Sequence, residues 1–312
     1  MSSSAKEKIK DVLRPIWVRR KWFEKVRYAK RPLLTPEAGN AWIADLVKSG
    51  KPAACGKLGV VELRMLRDWQ KHKDAAGHLA RWSPWKAEML KVNAGVYPTE
   101  PDTLSKWAAI FEDSVTQLDG SAIYFNFGEY RTLRTLSPNF MPMDDTAFEG
   151  FYFDEPWTQH LSGKRLLVAT PFASTVESQA KRLPEIWAKH PKTLFNVSVE
   201  TIRVPLSAGI SSPEYPTWVD GLNAMKRDME SKTFDAFFVG AGAWSVPLAA
   251  HAKRLGKFAI HLGGATQLMF GIKGGRWDDN PRINRFFTDA WVRPGPADRP
   301  KDAHKVEKAC YW

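Results

Sequence analysis

Four short apolar runs constrain the fold more than any other feature of this chain. They are KRLLVAT (164–170), NVSVETIRVP (196–205), FDAFFVG (234–240) and KFAIHL (257–262). Helical patterns separate them. Ser174 with Glu177, and Thr217 with Asp220, have the spacing of a capping box, in which a hydroxyl and an acid three residues on satisfy each other's backbone N–H. A helix is expected from about residue 246 to 255, and another after Gly264. Strands that are apolar along their whole length suit burial on both faces. Four strand–helix alternations therefore predict a mostly parallel, doubly wound α/β sheet of Rossmann-like kind.

The first half is less regular. A helix is expected over 40–50, stopping at Gly50, then a buried strand within PAACGKLGVV (52–61) and a helix from Glu62 to Trp69. A tryptophan-rich, partly helical stretch follows at 78–93. Thr99 with Asp102 suggests a capped helix to about Leu118, and SAIYFNF (121–127) reads as a strand. Residues 128–160 are loop-rich, with three prolines and the acidic pairs Asp144-Asp145 and Asp154-Glu155. Such pairs occur in divalent-cation sites and, more often, in solvated turns. The expected organisation is an arm at 1–36, a first part at 37–160 and a nucleotide-binding part with its tail at 161–312. Trp291, Tyr311 and Trp312 suggest that the proline-rich tail packs back onto the body.

Charge sets the arm apart. Residues 1–32 hold eleven Lys or Arg against Glu7, Asp11 and Glu24, a net +8 out of +12 for all 312 residues. Ile9, Leu13, Ile16, Trp17, Trp22, Phe23 and Val26 are interleaved with those cations. That composition fits a helix lying on an anionic membrane surface, or a packing helix with a solvated basic face. No nucleic-acid module accompanies it, which disfavours a nucleic-acid partner. Two cysteines, Cys55 and Cys310, suit a reducing compartment. No apolar run reaches the ~18 residues of a membrane span, and no signal-peptide core is evident. The expected location is the cytoplasm, with peripheral attachment to membrane.

In open parallel sheets, ligands bind beyond the carboxyl ends of the strands. Three such ends here are small or hydroxylated and lead toward helix N-termini: 170–174 with Ser174; Gly240, Gly242, Trp244 and Ser245; and His261, Gly263 and Gly264. Together they suggest an anion-binding crevice for a phosphate or diphosphate. Gln267, one turn on, could bond a base, ribose or sugar. Lys273 and Arg276 could neutralise a diphosphate leaving group or simply complement a helix C-terminus. His261 reads either as a site residue or as a core histidine. Glu62 starts a helix after a buried strand, so it is a helix-favouring acid, or a carboxylate that acts as base, holds a metal or bonds a ligand hydroxyl. A nicotinamide cofactor is disfavoured, since Ser245 stands at the third glycine of the dinucleotide fingerprint and no acid ends the next strand. No phosphate loop, zinc helix or nucleophile elbow occurs.

Three segments carry a resemblance: CGKLGVVEL (55–63), the run from FDAFFVG to GGRW (234–277), and the ending WVRP…VEKACYW (291–312). They resemble a family of polysaccharide-locus proteins with a GT-D-type glycosyltransferase fold. The resemblance implies a Rossmann-like transferase that moves a sugar from a nucleotide sugar to a glycan or lipid-linked acceptor. It places Gly56 and Gly59 with the donor. It also implies an Asp-x-Glu pair that holds Mn2+ or Mg2+ and the donor. Here that triplet is Val60-Val61-Glu62, so the glutamate is kept and the aspartate is not. A non-catalytic nucleotide- or glycan-binding protein on a degenerate transferase fold is the alternative.

Overall fold

The computed structural model describes residues 20–29, 31–79, 82–207, 214–299 and 310–312. Seven strands form one sheet: β1 (Ala53–Lys57), β2 (Gly120–Ala122), β3 (Met141–Met143), β4 (Arg165–Thr170), β5 (Ser198–Arg203), β6 (Ala236–Val239) and β7 (Phe258–His261). Their order is β3-β2-β1-β7-β6-β4-β5, and every neighbouring pair is parallel. The two long stretches on either side of residue 160 therefore share one sheet, joined where β1 pairs with β7.

The helices are α1 (residues 20–28), α2 (Pro36–Ser49), α3 (Val60–His72), α4 (Pro84–Ala94), α5 (Pro101–Val115), α6 (Glu129–Leu136), α7 (Ala173–Ala180), α8 (Leu183–Ile186), α9 (Trp218–Ser231), α10 (Ser245–Arg254), α11 (Ala265–Met269) and α12 (Pro281–Asn284). Successive strand residues point to opposite faces. Phe237, Val239, Leu167 and Ala259 enter one core with α3, α4, α5, α9 and α10. Ala236, Phe238, Val168 and Ile260 enter a second core with α2, α7, α8, α11 and α12. Each fully buried Phe or Ile contributes roughly 1.5–3 kcal/mol, which is why unbroken apolar strands specify this two-faced arrangement. The outer strand β5 instead exposes Ser198, Glu200 and Arg203 and buries only Ile202, the polar pattern of an unpaired edge.

Local signals succeed unevenly. Gly50 ends α2 in the left-handed region, at φ 63°. Thr217 and Asp220 form the expected capping box. The other two boxes do not form. Glu100, not Thr99, precedes α5, with Pro101 as its first residue. The helix expected from Ser174 to about His190 is broken into α7 and α8 just ahead of Pro184, and Asp298, not a capping box, takes the amides at its start. β2 is shorter than expected, since the chain turns away at Phe125, φ 56°. The stretch 128–160, expected as loop, contributes α6 and the outer strand β3. The tryptophans are largely core: Trp107, Trp157, Trp187, Trp218 and Trp244 are fully buried.

What positions a site is the way the chain leaves the sheet. Across the neighbours β4, β6, β7 and β1, the next helices are α7, α10, α11 and α3. These go alternately to the second core, the first, the second and the first. Adjacent strands whose connections diverge leave a crevice beyond their carboxyl ends.

Candidate functional site

A cavity of about 320 Å3 fills that crevice. Its wall is drawn from the turns after six strands: Lys57 and Gly59 after β1, Tyr124 after β2, Thr170 to Phe172 after β4, Val204 to Ser207 after β5, Gly240 to Gly242 after β6 and His261 to Gln267 after β7. The end of α4 and the tail residues Tyr311 and Trp312 close it.

The glycines in this wall let backbones approach closely. A Cβ on Gly240 would collide with the Gly263 carbonyl and would sit 2.7 Å from the Thr266 hydroxyl. Gly242 has φ +54°, and a Cβ there would lie 2.9 Å from the Ala94 carbonyl. A Cβ on Gly59 would overlap the Glu62 carboxylate, so glycine makes room for that group at the mouth.

Glu62 bonds its own backbone N–H, which favours the charged form, but burial outweighs this and pushes its pKa to about 7. It therefore titrates where a general base works best. His261 is held neutral: burial and the neighbouring Lys57 charge push it down to about 3, although its ring bonds the Lys57 backbone. Its Nδ1 is buried and has no partner. The Thr266 hydroxyl and Gln267 Oε1 are likewise buried and unpartnered. Three unsatisfied polar atoms on one turn, on residues that line a cavity, are the kind of exception that a ligand or ordered water explains.

Lys57 is the cation of this cavity. Its pKa is lowered by burial and by Arg276, against the pull of Glu149 and Asp145. Its side chain makes no ion pair or hydrogen bond with another described residue. The Lys57 amine and the His261 ring both lie beside Gly263: a Cβ there would be 3.4 Å from Nζ and 3.7 Å from the imidazole Nε2. Tyr124 stands in the same field, its phenol raised by burial and by Asp145 and Glu149. Sequence reasoning missed Lys57. The available signal was a lysine ending a buried strand, where an uncompensated charge is costly.

Of the residues singled out from the sequence, Glu62, His261, Gly59, Gly240, Gly242, Trp244, Gly263, Gly264 and Gln267 come together on this wall. Four do not line it. Gly56 lies inside the sheet, where a Cβ would meet Leu118 at 2.9 Å. Ser174 is exposed, and its amide donates to Asp298, whose carboxylate also accepts from the Thr175 amide and hydroxyl at 2.6 Å. The anion expected at the α7 N-terminus is thus the chain's own. Lys273 points its amine over the Phe287 ring, 5.2 Å from the centroid. Arg276 donates to the Tyr311 hydroxyl at 2.9 Å and so supports the wall from behind.

Three further expectations change. The N–H groups of Gly240 and Gly263 already donate to Ala169 and Val239 carbonyls, so they do not form a phosphate cradle. Trp244 stacks on Trp218 and donates to its carbonyl at 2.9 Å, so it is a wall of the cavity fixed by the core. Gln267 spends its amide N–H groups on the carbonyls of Ile272, Lys273 and Tyr311, which ties the tail to the cavity floor. Only its Oε1 remains for a ligand.

The donor set fits a divalent cation poorly. Val60 supplies no oxygen, Glu62 is the cavity's carboxylate, and the Lys57 amine shares the space. No group of three or more His, Cys, Asp or Glu among the described residues could hold a metal. Comparison with protein-family models, with curated proteins and with solved structures finds no match for this chain.

Proposed function

We propose that this chain is a glycosyltransferase that takes a sugar from a nucleotide-sugar donor and passes it to a hydroxyl of a glycan or lipid-linked acceptor. One observation carries the reading. A lysine and three buried polar atoms without a hydrogen-bond or ion-pair partner among the described residues, and a carboxyl poised near neutral pH, share one cavity at the carboxyl edge of a doubly wound sheet. Lys57 would meet the diphosphate charge, a task the sequence alone assigned to Lys273 and Arg276. His261, Thr266 and Gln267 offer fixed polar contacts for base, ribose or sugar. Glu62 would take the proton of the acceptor hydroxyl as its oxygen bonds the anomeric carbon. The bond from that carbon to the diphosphate oxygen breaks, and its electron pair leaves on the diphosphate beside Lys57. No step is assigned to Mn2+ or Mg2+. The resemblance of 55–63 and 234–277 to GT-D-type transferases points the same way.

The test is turnover across UDP-, GDP- and CDP-sugars with a panel of acceptors, for wild type and Glu62→Gln. One donor class should be consumed. The variant should keep donor affinity and lose roughly 10²–10⁴-fold in kcat, and wild-type kcat/KM should fall on the acid side of about pH 7. Neither binding nor turnover with any donor would remove the reading. Val60, standing where a metal-binding aspartate is expected, favours a second one: a non-catalytic protein that binds nucleotide or glycan. Donor binding with no turnover over the whole panel would select it.

A further inference from the structure

α1 is docked to the body through Glu24 and Tyr28 and shows Trp22, Phe23 and Val26 outward. Glu24 and Tyr28, one turn apart, are buried. Glu24 accepts from the backbone amides of Gly128 and Tyr130 at the start of α6, at 2.9 and 3.4 Å, and from Arg27 at 3.0 Å. Tyr28 packs edge-on against Phe125 and Tyr130. On the opposite side Trp22 is 57% exposed, Phe23 45% and Val26 49%. At roughly 100° per residue, Lys21 and Lys25 flank this apolar stripe on one side, and Arg20 and Arg27 on the other. A surface helix of a globular protein normally has the reverse polarity.

The body extends the same surface. Phe127, 48% exposed, lies under the guanidinium groups of Arg20 and Arg67, at 5.1 and 4.7 Å from its ring centre. A small groove joins Arg20 and Lys21 to Val60, Arg64 and Phe127. The acids of these segments turn away: Glu24 and Glu129 are buried, and Glu62 lines the cavity. What remains outward is apolar and cationic.

We infer that this composite face, α1 with Val60, Arg64, Arg67 and Phe127, seats on an anionic lipid bilayer. Exposed indole and aliphatic groups enter the headgroup boundary while flanking cations meet lipid phosphates. A second copy of the chain is a poorer occupant, because two such faces would set like charges against each other. The groove adjoins the cavity: Val60, Leu63 and Arg64 of α3 line the groove, and Gly59 and Glu62 line the cavity. Residues 1–19 and 30 of the basic arm lie outside the described residues, and the inference uses none of them.

The experiment is co-sedimentation of the full chain with phosphatidylcholine vesicles, with and without phosphatidylglycerol, at low and high salt. Wild type should bind the phosphatidylglycerol vesicles and release them in salt. Trp22→Glu with Val26→Glu should weaken binding roughly tenfold or more, with an unchanged melting curve because both side chains are exposed. Lys21→Glu with Lys25→Glu, a second route to the same face, should do the same. Binding by both variants equal to wild type overturns the inference, as does a wild type that ignores anionic vesicles. A wild-type dimer that Trp22→Glu with Val26→Glu converts to monomer, with no vesicle binding, assigns the face to a second copy instead. None of these readouts depends on sugar transfer.

Discussion

Lys57 and Glu62 lie five positions apart, and one cavity makes opposite demands on them. Burial lowers the affinity of Lys57 for its proton and raises that of Glu62, in each case against the charged form. For Glu62 the consequence for stability has a definite sign. Its folded pKa of about 7 lies above the ordinary carboxyl value of 4.5. The folded chain therefore holds a proton that the unfolded chain releases, and stability falls as pH rises through that window. Glu62→Gln removes this loss. Denaturant unfolding should show the variant gaining on wild type by roughly 1–3 kcal/mol between about pH 5 and about pH 8. A difference that does not change over that window would mean that Glu62 is solvated. Neither group's role was fully legible locally. Glu62 was visible as an acid at a strand-to-helix junction. Lys57 reads in sequence as the end of a strand. It faces His261 because β1 runs beside β7, a pairing between residues about two hundred positions apart.

The elements show the same division. α2 and α9 carried their own stop and start signals, Gly50 and the Thr217–Asp220 box, and both were legible. The start of α7 was legible near Ser174 but its cap was not, because the N-terminal partner comes from Asp298, 123 residues beyond Thr175. A buried carboxylate accepting two amides and a hydroxyl also pins the loop before the tail, since Gly295 donates to the same Thr175 hydroxyl at 2.9 Å. Asp298→Ala leaves those donors bare. It should lower the urea midpoint by the equivalent of about 1–3 kcal/mol at an unchanged slope. An unaltered midpoint would show that water replaces the carboxylate without cost. The glycine turns after β6 and β7 were correctly placed at the cavity, but for a different physical reason. The amides of Gly240 and Gly263 belong to the sheet, and the missing side chains are what allow the turns to touch.

At the scale of the molecule, unbroken apolar strands were enough to specify a parallel sheet covered on both faces. They could not give the strand order, nor the short outer member β3. The order positions the crevice, because it sets β4, β6, β7 and β1 side by side with connections leaving to alternate faces. Among the described residues no helix is long and apolar enough to cross a membrane; the contact with lipid proposed above uses the outward face of α1. The central claim is that this crevice holds a nucleoside diphosphate with Lys57 on its charge. Calorimetric titration of UDP, GDP and CDP into wild type and Lys57→Ala tests it most directly. At least one nucleotide should bind wild type and bind the variant about tenfold or more weakly, each tenfold being roughly 1.4 kcal/mol. Equal affinity for both proteins, or no binding to wild type, would contradict it.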